Sequence, residues 1–305
     1  MIAQRVGHEN ARYDATLMST ESTLSTFVAS DGDNLAIQDW PLELGRTLRG
    51  VVLLVHGLGE HAGRYEHVAQ CLNDWGFAVR GHDQFGHGES GGPRGGLPSD
   101  TRLLSDLADI VDSTRARMHA DTPLILLGHS LGGLVAARFV SLEMRQVEGL
   151  ILSSPALDPG LNAFQKLLVA VLPAVAPNLR VSNGLDADFL SHDPNVVAAY
   201  RADHLVHDRI SARLARFIAD AGPATLARAP QWQVPTLLLY AGADKLVNPA
   251  GSRAFAAAAP KDIVSAHCFE RLFHEIFNEL DAEPVFAQLQ KWLDAHYPDL
   301  RHAPR

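Results

Sequence analysis

Short apolar runs alternate with helix-like segments along most of the chain, and this alternation constrains the fold more than any other feature of the sequence. Six runs are each long enough for one buried strand, at 51–55, 77–80, 124–127, 150–153, 236–240 and 263–269. Segments with helical periodicity separate most of them or follow the last one, at 65–75, 100–118, 132–144, 249–258 and 283–296. Strands that alternate with helices of this length form βαβ units. The sequence therefore predicts an α/β fold with a mostly parallel central sheet flanked by helices.

Two intervals depart from this alternation. Residues 24–28 and 35–39 are strand-like and are separated by the turn-rich spacer Ala-Ser-Asp-Gly-Asp-Asn, which predicts an antiparallel hairpin. From about 155 to 234 no strand run is visible, while helical segments and prolines abound. We interpret this interval as a helical cap, inserted after the sixth strand at the carboxyl edge of the sheet, where open α/β sheets bind ligands.

The predicted organisation is then a tail at 1–22, one core formed by 23–154 and 235–300, and the cap at 155–234. A single core of this kind fits a chain of 305 residues.

Composition and charge limit the cellular compartments and the classes of binding partner that are expected for the protein. With 26 Lys and Arg against 35 Asp and Glu, the net charge is −9, which disfavours binding to nucleic acid. Two cysteines are too few for a disulfide framework, so a reducing compartment is expected. The first 22 residues lack the apolar core of a signal peptide, and the longest apolar run, 167–177, falls short of the about 20 residues that span a bilayer. We predict a cytoplasmic protein that can still rest on a membrane surface.

The sharpest motif is Gly128-His129-Ser130-Leu131-Gly132-Gly133, directly after the strand run 124–127 and directly before a helix. In this context G-x-S-x-G forms a strained turn that pushes the serine hydroxyl out above the sheet. The alternative is a chance match in a glycine-rich chain. A serine at such a turn is a candidate nucleophile, and it needs a base and a group that orients the base.

In this arrangement the acid and then the histidine follow the serine along the chain. Asp244 lies just beyond the strand run 236–240, at the edge of the sheet where the site is expected. A turn or helix-capping role for Asp244, and Asp262 as the acid, remain alternatives. His274 precedes the final helix, whereas the other candidates lie in a strand run or in the tail: His267, His296 and His302.

Acyl transfer also needs two backbone N–H donors for the oxyanion of the tetrahedral intermediate. One belongs to the residue after the nucleophile, Leu131, and the other to a loop after an early strand. The stretch His56-Gly57-Leu58-Gly59 follows the strand run 51–55 and makes Leu58 the second candidate donor. A glycine-rich turn without a catalytic role is the alternative.

Longer stretches carry a family resemblance. Leu-Val-His-Gly-Leu-Gly-Glu-His-Ala-Gly-Arg-Tyr at 54–65 and Gly-His-Asp-Gln-Phe-Gly-His-Gly-Glu-Ser at 81–90 are followed, in order, by 128–133, 153–155, Asn178-Leu179, 241–244 and the Phe-His-Glu element at His274. From about residue 24 to 296 the chain resembles the monoacylglycerol lipases of the serine α/β-hydrolase superfamily, a group that includes serine aminopeptidase-like and lysophospholipase-like proteins. The resemblance implies the α/β-hydrolase fold.

The resemblance also implies roles for individual residues. Ser130 is the expected nucleophile, His274 the general base and then acid, and Asp244 its orienter, while Leu58 and Leu131 are the expected oxyanion donors. A polar pocket for the glycerol group is expected near four further residues: Glu60, Arg64, His129 and Tyr200. For Glu60 and Arg64 a buried ion pair that braces the oxyanion loop is an equally good interpretation.

One position departs from the family, because some relatives carry a second histidine near the alcohol where this chain has Phe277. Asp83 and His87 are expected to brace a loop rather than to act in catalysis.

The acyl group is expected to bind the insertion, where apolar residues recur at helical spacing: Leu161, Phe164, Leu167, Leu168, Val171, Leu172 and Val175. Burying each methylene is worth about 0.8 kcal/mol, so the acyl chain dominates binding. Part of this stripe must instead hold the insertion on the sheet. Leftover apolar surface would let the protein touch a membrane or lipid aggregate peripherally, through hydrophobic contact, because the net charge of −9 offers no electrostatic attraction.

The predicted function is hydrolysis of carboxylic esters, above all of monoacylglycerol to fatty acid and glycerol, through an acyl-enzyme and without a metal or organic cofactor. A lysophospholipase or a carboxylesterase of broad specificity is the alternative within enzymes. The alternative from another class is a non-catalytic α/β-hydrolase-like protein that binds a small ligand. The sequence predicts no oligomeric state.

Overall fold

The computed structural model describes residues 22–160 and 163–299, so positions 1–21 of the predicted tail and position 300 of the predicted core lie outside the described residues. Its main sheet has eight strands: β1 (Thr23–Val28), β2 (Asn34–Trp40), β3 (Gly50–Val55), β4 (Phe77–His82), β5 (Leu124–His129), β6 (Gly149–Ser153), β9 (Thr236–Ala241) and β10 (Val264–Phe269). Across the sheet they lie in the order β1-β2-β4-β3-β5-β6-β9-β10. The short strands β7 (Arg180–Ser182) and β8 (Arg209–Ser211) form a separate ribbon.

Strand pairing confirms the predicted mostly parallel sheet. Strand β3 lies at its centre and pairs in parallel with β4 and β5, and β5, β6, β9 and β10 continue in parallel. The hairpin predicted near the start is also present, because β1 and β2 pair antiparallel with Thr23 opposite Asp39. The hairpin joins the sheet through an antiparallel pairing of β2 with β4.

Helices cover both faces of the sheet, and the apolar side chains of the strands divide between two clusters. In β3, Leu53 and Val55 face one cluster while Val52 and Leu54 face the other, as the two-residue period of a strand requires. The helices are α1 (Glu66–Asp74), α2 (Arg102–Arg115), α3 (Ser130–Ser141), α4 (Ala163–Val175), α5 (Pro194–Ala202), α6 (Ala212–Leu226), α7 (Pro249–Ala258) and α8 (Glu283–His296). Because β3 and β5 are buried along their whole length, the core lies on both sides of the sheet.

The insertion (residues 155–234) lies between β6 and β9 and holds α4, α5 and α6. It is not free of strands as expected, because β7 and β8 pair antiparallel within it, with Val181 opposite Ile210. Each of these strands has only three residues, with an arginine at its start, and therefore shows no apolar run in the sequence. Helix α6 packs Leu214 and Phe217 into the core cluster that includes Leu53, so the insertion is attached to the core along this helix.

Helix α4 turns much of its apolar stripe outward. Leu167, Leu168, Val171 and Val175 are exposed, with Val175 at 75%. These four residues therefore belong to the leftover apolar surface expected of the stripe and do not form walls of an acyl pocket; Leu161 and the side chain of Phe164 lie outside the described part. Within residues 22–160 and 163–299, no helix combines the length and apolar character needed to cross a bilayer.

Candidate active site

Ser130 stands at a sharp turn between β5, which ends at His129, and α3, which begins at Ser130. Its backbone has φ of 53°, in the left-handed region that a residue with a Cβ enters only at some energetic penalty. Glycine makes the turn possible, because a Cβ at Gly132 would overlap the carbonyl oxygens of Val55 and His56. The serine side chain is thus carried to the carboxyl edge of the sheet, as the motif predicts.

The structure brings Asp244 and His274 into direct contact. Asp244 follows β9 and His274 follows β10, and because these parallel strands are neighbours, their carboxyl ends meet at the same edge. His274 Nδ1 lies 2.6 Å from Asp244 Oδ2, and both side chains are buried. The other carboxylate oxygen of Asp244 accepts the backbone N–H groups of Leu246 at 2.8 Å and Val247 at 2.9 Å.

These contacts define the charge of the pair. Burial alone would lower the pKa of His274, but the adjacent Asp244 carboxylate outweighs it and raises that pKa. Burial would likewise raise the pKa of Asp244, yet the histidine and the two backbone donors lower it. The carboxylate is therefore ionised at neutral pH and favours the protonated imidazole. The His274 ring lies 4.7 Å from the ring of His129, the residue directly before Ser130.

The alternatives considered for the acid and the base lie elsewhere. Asp262 is exposed and precedes β10, and His267 is a half-buried residue within that strand. His296 lies in α8, where its Nδ1 is 2.9 Å from the carbonyl oxygen of Trp292. His302 lies outside the described residues.

Ser130, Leu58 and Leu131 line one cavity of about 160 Å³, whose other walls are mostly apolar. Leu131 is in the first turn of α3, where backbone N–H groups have no acceptor within the helix. The N–H of Leu58 makes no hydrogen bond within the described part of the chain. The insertion contributes Val169 and Ile218 to the walls, and Val247 comes from the loop that carries Asp244.

Glu60 and Arg64 belong to a buried network that contacts the loop of Leu58. The Glu60 carboxylate accepts the N–H of Gly57 at 2.6 Å, the hydroxyl of Tyr65 at 2.7 Å and the guanidinium of Arg64 at 2.5 Å. Arg64 also makes two hydrogen bonds to Glu275, at 2.7 and 2.8 Å. Although burial opposes ionisation, the charge of Arg64 lowers the pKa of Glu60 to about 2. The bracing interpretation accounts for all these contacts, and a contact of either residue with glycerol stays a prediction.

His129 and Tyr200 lie on two sides of this network. His129 is buried, its Nδ1 is 3.1 Å from Ser153 Oγ, and burial together with the nearby His274 lowers its pKa to about 4. The Arg64 guanidinium stacks over the Tyr200 ring at 4.7 Å from its centroid. The space between His129, Tyr65 and Glu275 is only about 10 Å³, no more than one water needs. A head-group role for His129 and Tyr200 therefore also stays a prediction.

Asp83 and His87 occupy the bracing positions expected for them. The Asp83 carboxylate accepts the N–H groups of Ala62 and Glu89, both at 2.8 Å, and the buried His87 ring contacts the carbonyl oxygen of Phe85. Sequence reasoning missed Glu275, the second partner of Arg64. The available signal was its position, as an acidic residue directly after His274.

Comparison with known proteins shows which proteins this chain is similar to. The family described as "Serine aminopeptidase, S33" (Hydrolase_4) matches residues 46–281. A monoacylglycerol lipase from Mycolicibacterium smegmatis is 36% identical over 251 residues, covering 81% of this chain and 89% of the relative. Phospholipase YtpA from Bacillus subtilis is 30% identical, covering 81% and 95%. The crystal structure of a Paleococcus ferrophilus monoacylglycerol lipase superposes with a TM-score of 0.76 at 35% identity, covering 87% of this chain and 99% of that one.

Proposed function

Because the chain belongs to the serine aminopeptidase S33 family of hydrolases, we propose that it hydrolyses the carboxylic ester of monoacylglycerols through an acyl-enzyme on Ser130. The observation that carries the proposal is the buried Asp244–His274 pair beside the strained Ser130 turn. Ser130 lines an apolar cavity together with Leu58 and Leu131. Binding a ligand does not require an ionised carboxylate buried against a histidine at such a turn, so this pair favours catalysis over binding alone.

In the first half of the reaction, Ser130 Oγ attacks the ester carbonyl carbon while His274 Nε2 takes the hydroxyl proton. Asp244 holds the imidazole through Nδ1–H and stabilises the imidazolium that forms. The carbonyl oxygen becomes an oxyanion and accepts the N–H groups of Leu58 and Leu131. When the tetrahedral intermediate collapses, the bond to the alcohol breaks, and His274 gives its proton to the departing glycerol oxygen.

The second half repeats these steps with water. His274 takes a proton from water, whose oxygen attacks the acyl carbon of the ester on Ser130. The same two N–H groups stabilise the second oxyanion. Collapse breaks the bond to Ser130 Oγ, His274 returns the proton to the serine, and the fatty acid leaves.

The apolar cavity supports a lipid substrate. Each methylene placed in it contributes about 0.8 kcal/mol, whereas a net hydrogen bond contributes about 1 kcal/mol, so the acyl chain provides most of the binding free energy. The monoacylglycerol lipase names of two similar proteins support glycerol as the alcohol. The phospholipase name of the Bacillus subtilis relative favours lysophospholipids as a second candidate substrate.

A substrate panel tests the proposed function. We expect kcat/KM to be highest for monoacylglycerols when mono-, di- and triacylglycerols, lysophospholipids and simple esters are compared at one acyl length. If lysophospholipids were hydrolysed best, the glyceride assignment would be wrong while the mechanism would stand. If no ester were hydrolysed, the mechanism itself would fail.

The exposed face of α4 supports a further part of the proposal, that a cytoplasmic enzyme reaches its substrate by touching lipid surfaces. Val171 and Val175 are exposed at 54% and 75%, and Leu167 at 59%. The helix carries Val169 on the wall of the Ser130 cavity, so contact of α4 with lipid would hold the cavity close to its substrate. With a net charge of −9, attraction to the surface would come from apolar contact.

Vesicle sedimentation tests this contact. We expect binding to zwitterionic phosphatidylcholine vesicles that is insensitive to salt. Val171→Glu and Val175→Glu should each weaken partitioning by roughly tenfold, because each removes a side chain whose burial in the lipid is worth about 1.5 kcal/mol. Leu44→Glu, at a leucine outside the insertion that is even more exposed than these valines, is the matched control and should bind as the wild type does. Unbound wild type, binding abolished by salt, or undiminished binding of both variants would contradict the proposal.

A further inference from the structure

The loop of residues 56–59, which carries the N–H of Leu58, is held by hydrogen bonds on both sides of that group. The His56 carbonyl oxygen accepts the side-chain amide of Gln84 at 2.7 Å, and the Gly57 N–H donates to Glu60. The Gly59 carbonyl oxygen accepts the N–H of His207 at 2.9 Å. The N–H of the half-buried Leu58, by contrast, makes no hydrogen bond within the described residues and is left free to meet a ligand.

The side chain of His56 holds the peptide unit that contains this N–H. His56 is fully buried, and its Nδ1 lies 2.8 Å from the Gly57 carbonyl oxygen. Its Nε2 accepts the backbone N–H of Gln84 at 2.9 Å. Because a backbone N–H can only donate, Nε2 carries no proton, and the ring hydrogen of the neutral histidine is on Nδ1. Nδ1–H therefore donates to Gly57, and both nitrogens of His56 are satisfied.

This contact determines the direction of the Leu58 N–H. The carbonyl of Gly57 and the N–H of Leu58 belong to one planar peptide unit and point in opposite directions across it. Glycine at 57 would otherwise let this unit rotate freely, because it lacks a Cβ. A Cβ at that position would lie 2.8 Å from Glu60 Oε1 and 3.2 Å from Ser130 Cβ, so no larger residue can stiffen the loop there.

We propose that His56 is a positioning residue of the reaction: its Nδ1–H anchors the Gly57 carbonyl and so aims the Leu58 N–H at the developing oxyanion. This inference rests on the proposed function, because an oxyanion forms beside Leu58 only if an ester is attacked at Ser130. Its effect falls on the transition state, where the oxygen carries the negative charge that the N–H stabilises.

Two substitutions separate the two hydrogen bonds of His56. The amide nitrogen of His56→Asn stands at the same distance from Cβ as Nδ1 and can still donate to Gly57. In His56→Gln the side-chain amide oxygen reaches the position of Nε2 and can accept the backbone N–H of Gln84. The Gly57 carbonyl oxygen is then left without a donor. We expect His56→Gln to lower kcat on a short 4-nitrophenyl ester by about 100-fold with KM unchanged. This factor is at the lower end of the losses in kcat that follow removal of an oxyanion donor. His56→Asn should keep kcat within about tenfold of the wild type, because it retains the donor that aims the N–H.

His82→Gln is the matched control, because His82 is also a buried histidine, at the end of the neighbouring strand β4, and its Nδ1 makes no hydrogen bond to the 56–59 loop. It should keep the wild-type kcat even where it lowers the midpoint of thermal unfolding. Equal kcat losses in His56→Asn and His56→Gln, or a His56→Gln enzyme with wild-type kcat, would overturn the proposal. An inactive wild type would instead overturn the proposed function, so the two failures are distinguishable.

Discussion

Replacing Ser130 by alanine is expected to lower kcat for ester hydrolysis by about a million-fold, because the nucleophile and the acyl-enzyme are lost together. The fold should remain, since alanine keeps the Cβ at this left-handed position, where Ser130 has φ of 53°. Hydrolysis of a short 4-nitrophenyl ester measures the activity, and circular dichroism with thermal unfolding measures the fold.

A second serine in the same backbone region provides the control. Ser154 also has a positive φ, of 41°, it is buried, and its hydroxyl oxygen accepts the N–H of Ala241 at 3.3 Å. Ser154→Ala therefore removes a hydroxyl from a strained serine close to the sheet edge without removing the nucleophile, and it should keep most of the activity. Substantial turnover by the Ser130→Ala protein would show that another residue attacks the ester.

Replacing Asp244 by asparagine is expected to lower kcat by about ten-thousand-fold. An amide at this place can donate to Nδ1 and so favours the wrong tautomer of His274, and it cannot stabilise the imidazolium. The pH profile should move as well. The Asp244 carboxylate raises the pKa of His274, and the base acts only when neutral, so the acidic limb of kcat/KM in the wild type lies above the usual histidine range. In Asp244→Asn that pKa falls, and the limb should shift to lower pH.

Asp262→Asn is the control, because this exposed aspartate precedes β10 and was the rival candidate for the acid. Its kcat and pH profile should match those of the wild type. A large loss in Asp262→Asn with little loss in Asp244→Asn would reverse the assignment, and an unmoved acidic limb in Asp244→Asn would remove the electrostatic role given to the carboxylate.

The main sheet and its flanking helices could be predicted, because the strands are apolar runs and the apolar residues of the helices recur at helical spacing. Residues 249–258 and 283–296, predicted as helices, are α7 and α8 with the same bounds. The ribbon of β7 and β8 could not be predicted, because three-residue strands bearing Arg180 and Arg209 show no apolar alternation. The ribbon is also held by a contact with the core, because the carbonyl oxygen of Gly95, outside the insertion, accepts the N–H of Ser211 at 2.8 Å.

Candidate site residues could be named from the sequence where local chemistry specifies a position. The strand–glycine–helix context located the Ser130 turn, and the ends of β9 and β10 located Asp244 and His274. Contacts made only in three dimensions were missed, such as Arg64 with Glu275, which lie 211 residues apart. The sequence could not show which residues of the α4 stripe point outward for the same reason, because helical spacing shows that a face is apolar and not what that face meets.

The most direct test of the central claim is the site of reaction with a fluorophosphonate, which phosphonylates a serine activated by a histidine. The protein should gain one adduct, and peptide mapping should place it on Ser130, with no adduct in Ser130→Ala. Absence of labelling in the folded wild type, or an adduct on a different residue, would contradict the claim that Ser130 is the nucleophile of an esterase.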